Sequence, residues 1–237
     1  MGKSQLLFGR NVFSEALIAN VKITEVFCEN PAARLFVEGL QRQHRKNFPI
    51  QAQLPKEIRN ESHQGLAFRV EHDFYLQNYE WSAEKTPIVL LCNHLEDVQN
   101  FGAVIRSAAA FGVSVIVHES RRSVSLSGAA IKASAGMAFQ MKFVEVANLL
   151  TIVKDLQEEA FEIAVLEGAE TSTSLYDWQP QFPVAIILGS EAEGVSVTLK
   201  NQASASIRIP MKAGVESLNV AQAASVALSW AFQKMGD

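Results

Sequence analysis

Two stretches carry residues whose types and spacing could do chemistry on a polar ligand. Ile187-Leu188-Gly189-Ser190-Glu191-Ala192-Glu193-Gly194 runs from an apolar segment into a glycine and a carboxylate. At the end of a strand in a parallel sheet such a turn faces a ligand crevice. Gly189 permits close backbone approach, and Glu191 places a carboxylate in the opening. A strand-to-loop turn whose acids cap the next helix would read the same way. The second stretch is Ile207–Ala227, where Pro210 closes the triplet Ile207-Arg208-Ile209. A polar loop with Gly214 follows, and Ser217 stands where a helix N-cap is expected. Val220, Ala223, Ala224, Ala227, Leu228 and Ala231 then recur at helical spacing on a face of small residues. A loop of backbone N–H groups ending on a helix N-terminus suits a polar ligand, although an ordinary buried C-terminal helix has this pattern too.

A third stretch lies upstream, Asn100-Phe101-Gly102-Ala103-Val104-Ile105-Arg106-Ser107. Asn100 can cap a helix that leaves Arg106 about two turns inside it. Capping asparagines and surface arginines are commonplace, so the spacing alone decides nothing. Arg121-Arg122 follows an apolar run and could meet phosphate or lie in a solvated loop. His44, His63, His72, His94 and His118 are scattered without metal-ligand spacing, and no metal site is expected.

The elements that position these residues alternate between strand and helix. From Pro87 the expected strands are Ile88–Cys92, Val113–Val117, Phe143–Val146, Ile163–Leu166 and Val184–Leu188. Expected helices are Asn100–Phe111, Ala129–Ala135 and Asn148–Ala160. Continuous apolar strands argue for a sheet covered on both faces, hence α/β with mostly parallel strands. No G-x-G-x-x-G turn follows the first strand and no phosphate-binding G-x-x-x-x-G-K-[ST] occurs, which disfavours an ordinary dinucleotide domain. Residues 1–79 read as a separate small α/β domain. It has helices near Gly9–Leu17 and Ala33–Gln43, and strands near Ile23–Cys28, Pro49–Ala52 and His63–Val70. The polar, aperiodic stretch 80–86 serves as a linker to residues 87–237.

Hydrophobic residues make up 48% and charged residues 19% of the 237, a globular composition with room for substantial cores. Net charge is −4, which taken alone argues against nucleic acid. The charge is uneven: residues 1–79 carry 10 Lys/Arg against 8 Asp/Glu, and residues 80–237 carry 11 against 17. The cluster Arg42-Gln43-His44-Arg45-Lys46 lies in the basic part, as a phosphate-binding patch or a solvated helix end. Cys28 and Cys92 are far apart, and no signal peptide or membrane-length apolar run is visible, so a cytoplasmic protein without a disulfide framework is expected.

The three stretches, in this order, resemble the motifs of the SPOUT superfamily, in its tRNA/rRNA ribose 2′-O-methyltransferase branch. Asn-x-Gly-x-x-x-Arg at Asn100–Arg106 resembles the first motif, Ile187–Gly194 the second, and IPM-x-x-GVESLN at Ile209–Asn219 the third. Ala133-Ser134-Ala135-Gly136 and Asn148-Leu149 match landmarks between them. The resemblance covers residues 87–235, and it extends to HQGLAFRV in the first domain, which is similar to a ribosomal-protein-like RNA-binding module.

Several expectations follow from the resemblance. The cofactor is S-adenosylmethionine, bound by Gly189, Leu188, Ile209, Met211, Leu218 and Gly168. The catalytic set is Arg106, Asn100, Ser217, Asn219 and Glu191. RNA is the substrate, met by Arg42, Arg45, Lys46, Arg121 and Arg122. The C-terminal segment is threaded as a deep trefoil knot, and the protein is a homodimer with the cofactor near the interface. No membrane is involved. An rRNA target is expected, resembling the 23S guanosine branch, with tRNA as the alternative. A non-catalytic RNA-binding or ribosome-assembly factor is the alternative of another class. The family's proposal makes the motif Arg the base; an always-charged guanidinium could instead grip phosphate and orient the ribose.

Overall fold

The computed structural model describes residues 4–58, 60–77, 79–215 and 217–236; Glu216 of the third motif lies outside them. Contacts divide the chain into two units. One comprises Met1–Phe74 with Leu126–Gln140, the other Tyr75–Ser125 with Met141–Asp237. The contact boundary thus falls at residues 74 and 75, ahead of the expected linker at 80–86. Residues 126–140, expected within the second domain, belong by contact to the first unit.

The first unit is a four-stranded sheet with helices. Its strands are β1 (Ser4–Phe8), β2 (Lys22–Cys28), β3 (Ile50–Gln51) and β4 (Leu66–Glu71), in the order β1-β4-β2-β3. β4 runs antiparallel to both β1 and β2, while β3 runs parallel to β2. β1 had no counterpart in the sequence reading, because its partner is distant: Ser4 pairs with Glu71 and Phe8 with Ala67. Helix α1 (Arg10–Ile18) starts after Gly9, whose φ of 97° only glycine adopts without strain. Helix α2 (Pro31–His44) is capped by Asn30, whose side chain accepts the Ala33 N–H at 2.9 Å. The expected strand Pro49–Ala52 shortens to the two residues of β3.

The helix expected at Ala129–Ala135 forms one residue earlier, as Gly128–Ala133 capped by Ser127. It precedes a single-turn helix at Met137–Gln140. Two glycines explain how this segment lies against β1 and α1. A Cβ on Gly128 would come within 3.3 Å of the Leu6 carbonyl oxygen, and one on Gly136 within 2.8 Å of Glu15 Cβ. Ala130, Ile131 and Ala138 are fully buried there.

The second unit holds a seven-stranded sheet. Its strands are β5 (Ile88–Cys92), β6 (Val115–Glu119), β7 (Phe143–Val146), β8 (Glu162–Leu166), β9 (Thr173–Ser174), β10 (Val184–Leu188) and β11 (Ala205–Arg208). They lie in the order β7-β6-β5-β10-β8-β11-β9 with every pairing parallel. The fold class is therefore α/β with a parallel sheet. β5 and β10 are buried along their whole length, the burial that their unbroken apolar runs require. Helix α3 (Val98–Ala110) follows β5; the short helix of Gly128–Ala133 in the first unit takes the label α4. Helix α5 (Leu149–Glu158) precedes β8, the single turn α6 (Val197–Lys200) follows β10, and α7 (Val220–Met235) ends the chain. α3 and α7 pack together, with the Ser107 and Ser225 hydroxyls 2.6 Å apart. The face of α7 built from Val220, Ala224, Ala227, Leu228 and Ala231 is buried, as its spacing required.

Candidate functional site

The carboxyl ends of β10, β8 and β11 open into a cleft of about 620 Å³. Leu188, Gly189, Ser190 and Glu191 line it after β10, Gly168 after β8, and Ile209 and Met211 after β11. Ser217, Leu218 and Asn219 close it at the start of α7. All six residues expected at a cofactor therefore meet in one cleft. The volume is that of a small-molecule site, with apolar walls and a few polar groups. Gly189 is required: a Cβ there would lie 2.1 Å from the Gly194 carbonyl carbon and 2.2 Å from the Val195 nitrogen. The loop folds back this tightly because Ser190 and Gly194 exchange backbone hydrogen bonds at 3.0 and 3.2 Å.

A second cleft of about 740 Å³ shares the wall formed by Ser190, Glu191 and Val220. His94, Asp97, Asn100, Arg122 and Glu193 line its other sides. The three motifs are joined at the shared wall. Asn219 Nδ2 donates to Asn100 Oδ1 at 2.9 Å and to Glu191 Oε1 at 3.0 Å, and Asn100 Nδ2 also donates to Glu191 Oε1.

Both expected caps are corrected. α3 is capped by Asp97, whose carboxylate accepts the Asn100 N–H at 2.7 Å, so Asn100 is already helical and its side chain is free for the cluster. α7 is capped by Asn219, whose Oδ1 accepts the Ala221 N–H at 2.9 Å, so Ser217 lies before the helix on the cleft wall. Asp97 and Asn219 each immediately precede the first helical residue, and capping types as good as these stand close by in the sequence.

Arg106 is exposed on α3 and lines neither cleft of its own chain; Arg121 is exposed and lines neither. Arg42, Arg45 and Lys46 sit together at the C-terminal end of α2, in the other unit. Arg42 and Lys46 line a shallow hollow there.

Two clusters had no counterpart in the sequence reading. Glu167 and Lys200 line the first cleft, paired at 2.6 Å, and the Ser206 hydroxyl donates to Glu167 at 2.5 Å. Burial pushes the Glu167 carboxyl up, but Lys200, Ser206 and Ser172 together outweigh it and hold the group below its ordinary range. The second cluster supports the other cleft. Buried Glu119 accepts from Asn93 Nδ2 at 3.0 Å and faces His94 Nε2 at 3.0 Å. Asn93 Oδ1 in turn accepts the Ser196 N–H at 3.0 Å, tying β5 to the loop before α6. Neighbouring His118 is held below its ordinary pKa by burial, against the Glu119 carbonyl and Glu145. Glu167 and Asn93 stand directly after the apolar strands β8 and β5, and that placement is the sequence signal for them. Among the described residues no group of His, Cys, Asp and Glu could hold a metal ion, and no helix is long and apolar enough to cross a membrane.

A parallel sheet with a cleft at its carboxyl ends, walled by the loops after β8, β10 and β11, is the form of an α/β protein that takes a small ligand at its strand ends. The SpoU rRNA Methylase family model matches residues 87–229, and the chain belongs to that family of S-adenosylmethionine-dependent RNA methyltransferases. It is 28% identical over 239 residues to a candidate TrmH family tRNA/rRNA methyltransferase of Staphylococcus haemolyticus, covering 97% of this chain and 95% of that protein. Among solved structures it is similar to an RNA 2′-O ribose methyltransferase, with TM-score 0.79, 20% identity, and 100% and 90% of the two chains covered. It is also similar to the SpoU methyltransferase AviRb of Streptomyces viridochromogenes in complex with AdoMet. There the TM-score is 0.76 and identity 20%, with 99% and 91% covered.

Proposed function

We propose that this chain methylates a ribose 2′-hydroxyl of RNA in the cytoplasm, with rRNA the preferred substrate and tRNA the second reading. The observation that carries the proposal is the Asn100–Glu191–Asn219 cluster, where three motifs far apart in sequence meet between two clefts. The names of the relatives add RNA 2′-O ribose for one and tRNA/rRNA for the other.

In this reading the first cleft holds the cofactor through backbone groups of Leu188, Gly189, Ile209, Met211, Leu218 and Gly168. Bound there, S-adenosylmethionine would supply a sulfonium methyl group to a ribose 2′-oxygen, the hydroxyl proton passing to solvent water and S-adenosylhomocysteine leaving. The residues of the chain orient that hydroxyl. Asn219 and Asn100 fix the Glu191 carboxylate at the wall, and Ser217 stands beside them. Arg122 lines the second cleft among the carboxylates of Glu96, Asp97, Glu191 and Glu193, and is the cation there that an RNA phosphate could meet. Arg106, exposed on α3, would grip an RNA phosphate through its planar fork and orient the ribose. Residues 1–79, with Arg42, Arg45 and Lys46, choose the RNA.

The same reading includes a homodimer through the C-terminal domain, and a knotted C-terminal segment. Exposed Phe232 and Met235 on α7 favour the dimer. Incubation with methyl-labelled cofactor and either rRNA or tRNA, followed by mapping of ribose methylation, tests the function. Label at a 2′-oxygen of rRNA is the expected result, and label on tRNA alone selects the second reading. Absence of transfer to any RNA leaves a non-catalytic RNA-binding factor.

A further inference from the structure

His94 is fixed on the wall of the second cleft by contacts on either side of it. The Asn93 N–H donates to the Leu188 carbonyl at 2.8 Å, and the Leu95 carbonyl accepts the Val124 N–H at 2.7 Å. Between these two ties the chain turns through a left-handed residue, His94 with φ 57°. Histidine is among the few side chains that enter this region with any frequency, and residues held there gather at functional sites. The imidazole lines the cleft with its side chain 26% exposed, while Nε2 lies 3.0 Å from buried Glu119 Oε2.

Glu119 decides which ring nitrogen is left for the cleft. A carboxylate only accepts hydrogen bonds, so it holds the proton of a neutral imidazole on the nitrogen that faces it. Nδ1 then keeps its lone pair, and it has no partner among the described residues. Glu119 is itself anchored, by Asn93 Nδ2 at 3.0 Å and the Leu149 N–H at 3.4 Å. The rest of the wall sorts what can meet that lone pair. Glu96, Asp97, Glu191 and Glu193 line the cleft with Arg122, so away from Arg122 the lining disfavours phosphate. The same acceptors favour the N–H and O–H groups of a nucleoside.

We propose that His94, held by Glu119, is a substrate-contacting residue of the second cleft, whose Nδ1 accepts a hydrogen bond from an N–H or O–H group of an RNA nucleoside lodged there. The assignment rests on the RNA-methyltransferase reading above. It adds to Asn100, Glu191 and Asn219 a residue outside the three motifs. The competing role is confined to the protein, with His94 serving only as the partner of buried Glu119. The two roles use different nitrogens of the ring, so substitution can separate them.

The test uses the full chain and three variants. His94→Asn keeps an acceptor close to the place of Nδ1, and asparagine tolerates the left-handed backbone. His94→Gln instead reaches toward Glu119, and His94→Leu offers neither contact. RNA affinity is measured against salt on the fragment around the nucleotide that methyl mapping identifies, alongside cofactor affinity and Tm. His94→Leu should weaken RNA binding roughly 3–10-fold, the worth of one hydrogen bond, and leave cofactor affinity unchanged. His94→Asn should bind RNA nearly as the wild type does, and His94→Gln should not. Removing the donor from the RNA completes the cycle. Either 2′-deoxy substitution or a base without its exocyclic amino group should weaken wild-type binding by the same factor and cost His94→Leu nothing further. Whichever analogue does so names the donor. If His94→Gln restores RNA binding and His94→Asn does not, His94 serves Glu119 alone and the proposal falls. A salt slope shallower by about 0.7–0.9 in His94→Leu marks a phosphate contact and also overturns it. So does a nitrogen NMR spectrum that puts the proton of the neutral wild-type ring on Nδ1. Unchanged RNA binding by His94→Leu rejects the His94 contact alone, whereas a wild type that neither binds nor methylates RNA rejects the methyltransferase reading with it.

Discussion

Asn219 stands 2.9 Å from Asn100, its amide donating to Asn100 Oδ1 while its own Oδ1 caps α7 at the Ala221 N–H. One side chain thus starts the last helix and binds the first motif to the third. The two tasks use different atoms and can be separated by substitution.

Asn219→Asp keeps the capping oxygen but removes the amide donors and sets a second carboxylate beside Glu191. Methyl transfer should fall about 10²-fold, the effect of losing one positioned donor, with Tm nearly unchanged. Asn219→Ala should lose the cap as well, at about 1 kcal/mol and roughly 2–4 °C of Tm. Single-turnover rates and thermal melts of the two variants check this. Equal melting of both would show that the cap does not matter.

Gly189→Ala should abolish cofactor binding. The new Cβ would collide with backbone at Gly194 and Val195, so the loop that walls the cleft must move. Calorimetry with S-adenosylmethionine is the measurement. An unchanged Kd in a folded variant would remove Gly189 from the site.

Arg106→Ala should remove most turnover and leave cofactor affinity intact, because Arg106 is exposed and off the cleft proposed for the cofactor. Arg106→Lys should also be poor, since an ammonium cannot copy a planar fork. Sedimentation at sub-micromolar concentration should find a dimer. Mixing Arg106→Ala with Asn219→Asp should restore activity if the two residues act across that dimer. A fully active monomer would rule out the dimer altogether.

Lys200→Met should make the protein more sensitive to acid. The folded pKa of Glu167 lies below its ordinary value of 4.5. Its contribution to stability is therefore complete above that value and is lost as pH falls through the folded pKa. Removing Lys200 takes away a hydrogen bond and a charge, so the folded pKa rises and the acid-unfolding limb moves to higher pH. Circular dichroism against pH reads the shift, and superimposable limbs would refute it.

Much of the second unit was legible in sequence because its strands are buried on both faces. Ile88–Cys92 and Val184–Leu188 announce themselves as unbroken apolar runs, and α7 by small residues at helical spacing. β1 was not legible, since five residues whose partners lie more than fifty positions away carry no local period. The caps shifted because several capping residues stood side by side, and only the backbone geometry chose among them.

Apolar runs and their alternation with helical spacing determined the α/β class, because strand burial on both faces leaves an unbroken apolar pattern; the family, and the loops expected at a cofactor, came from the resemblance of the three motifs. Tertiary structure decided the rest. It joined Asn100, Glu191 and Asn219 through side-chain hydrogen bonds, placed Glu167 against Lys200, and moved residues 126–140 to the first unit. Those relationships depend on which surfaces meet after folding, and no spacing along the chain encodes a meeting of residues about a hundred positions apart.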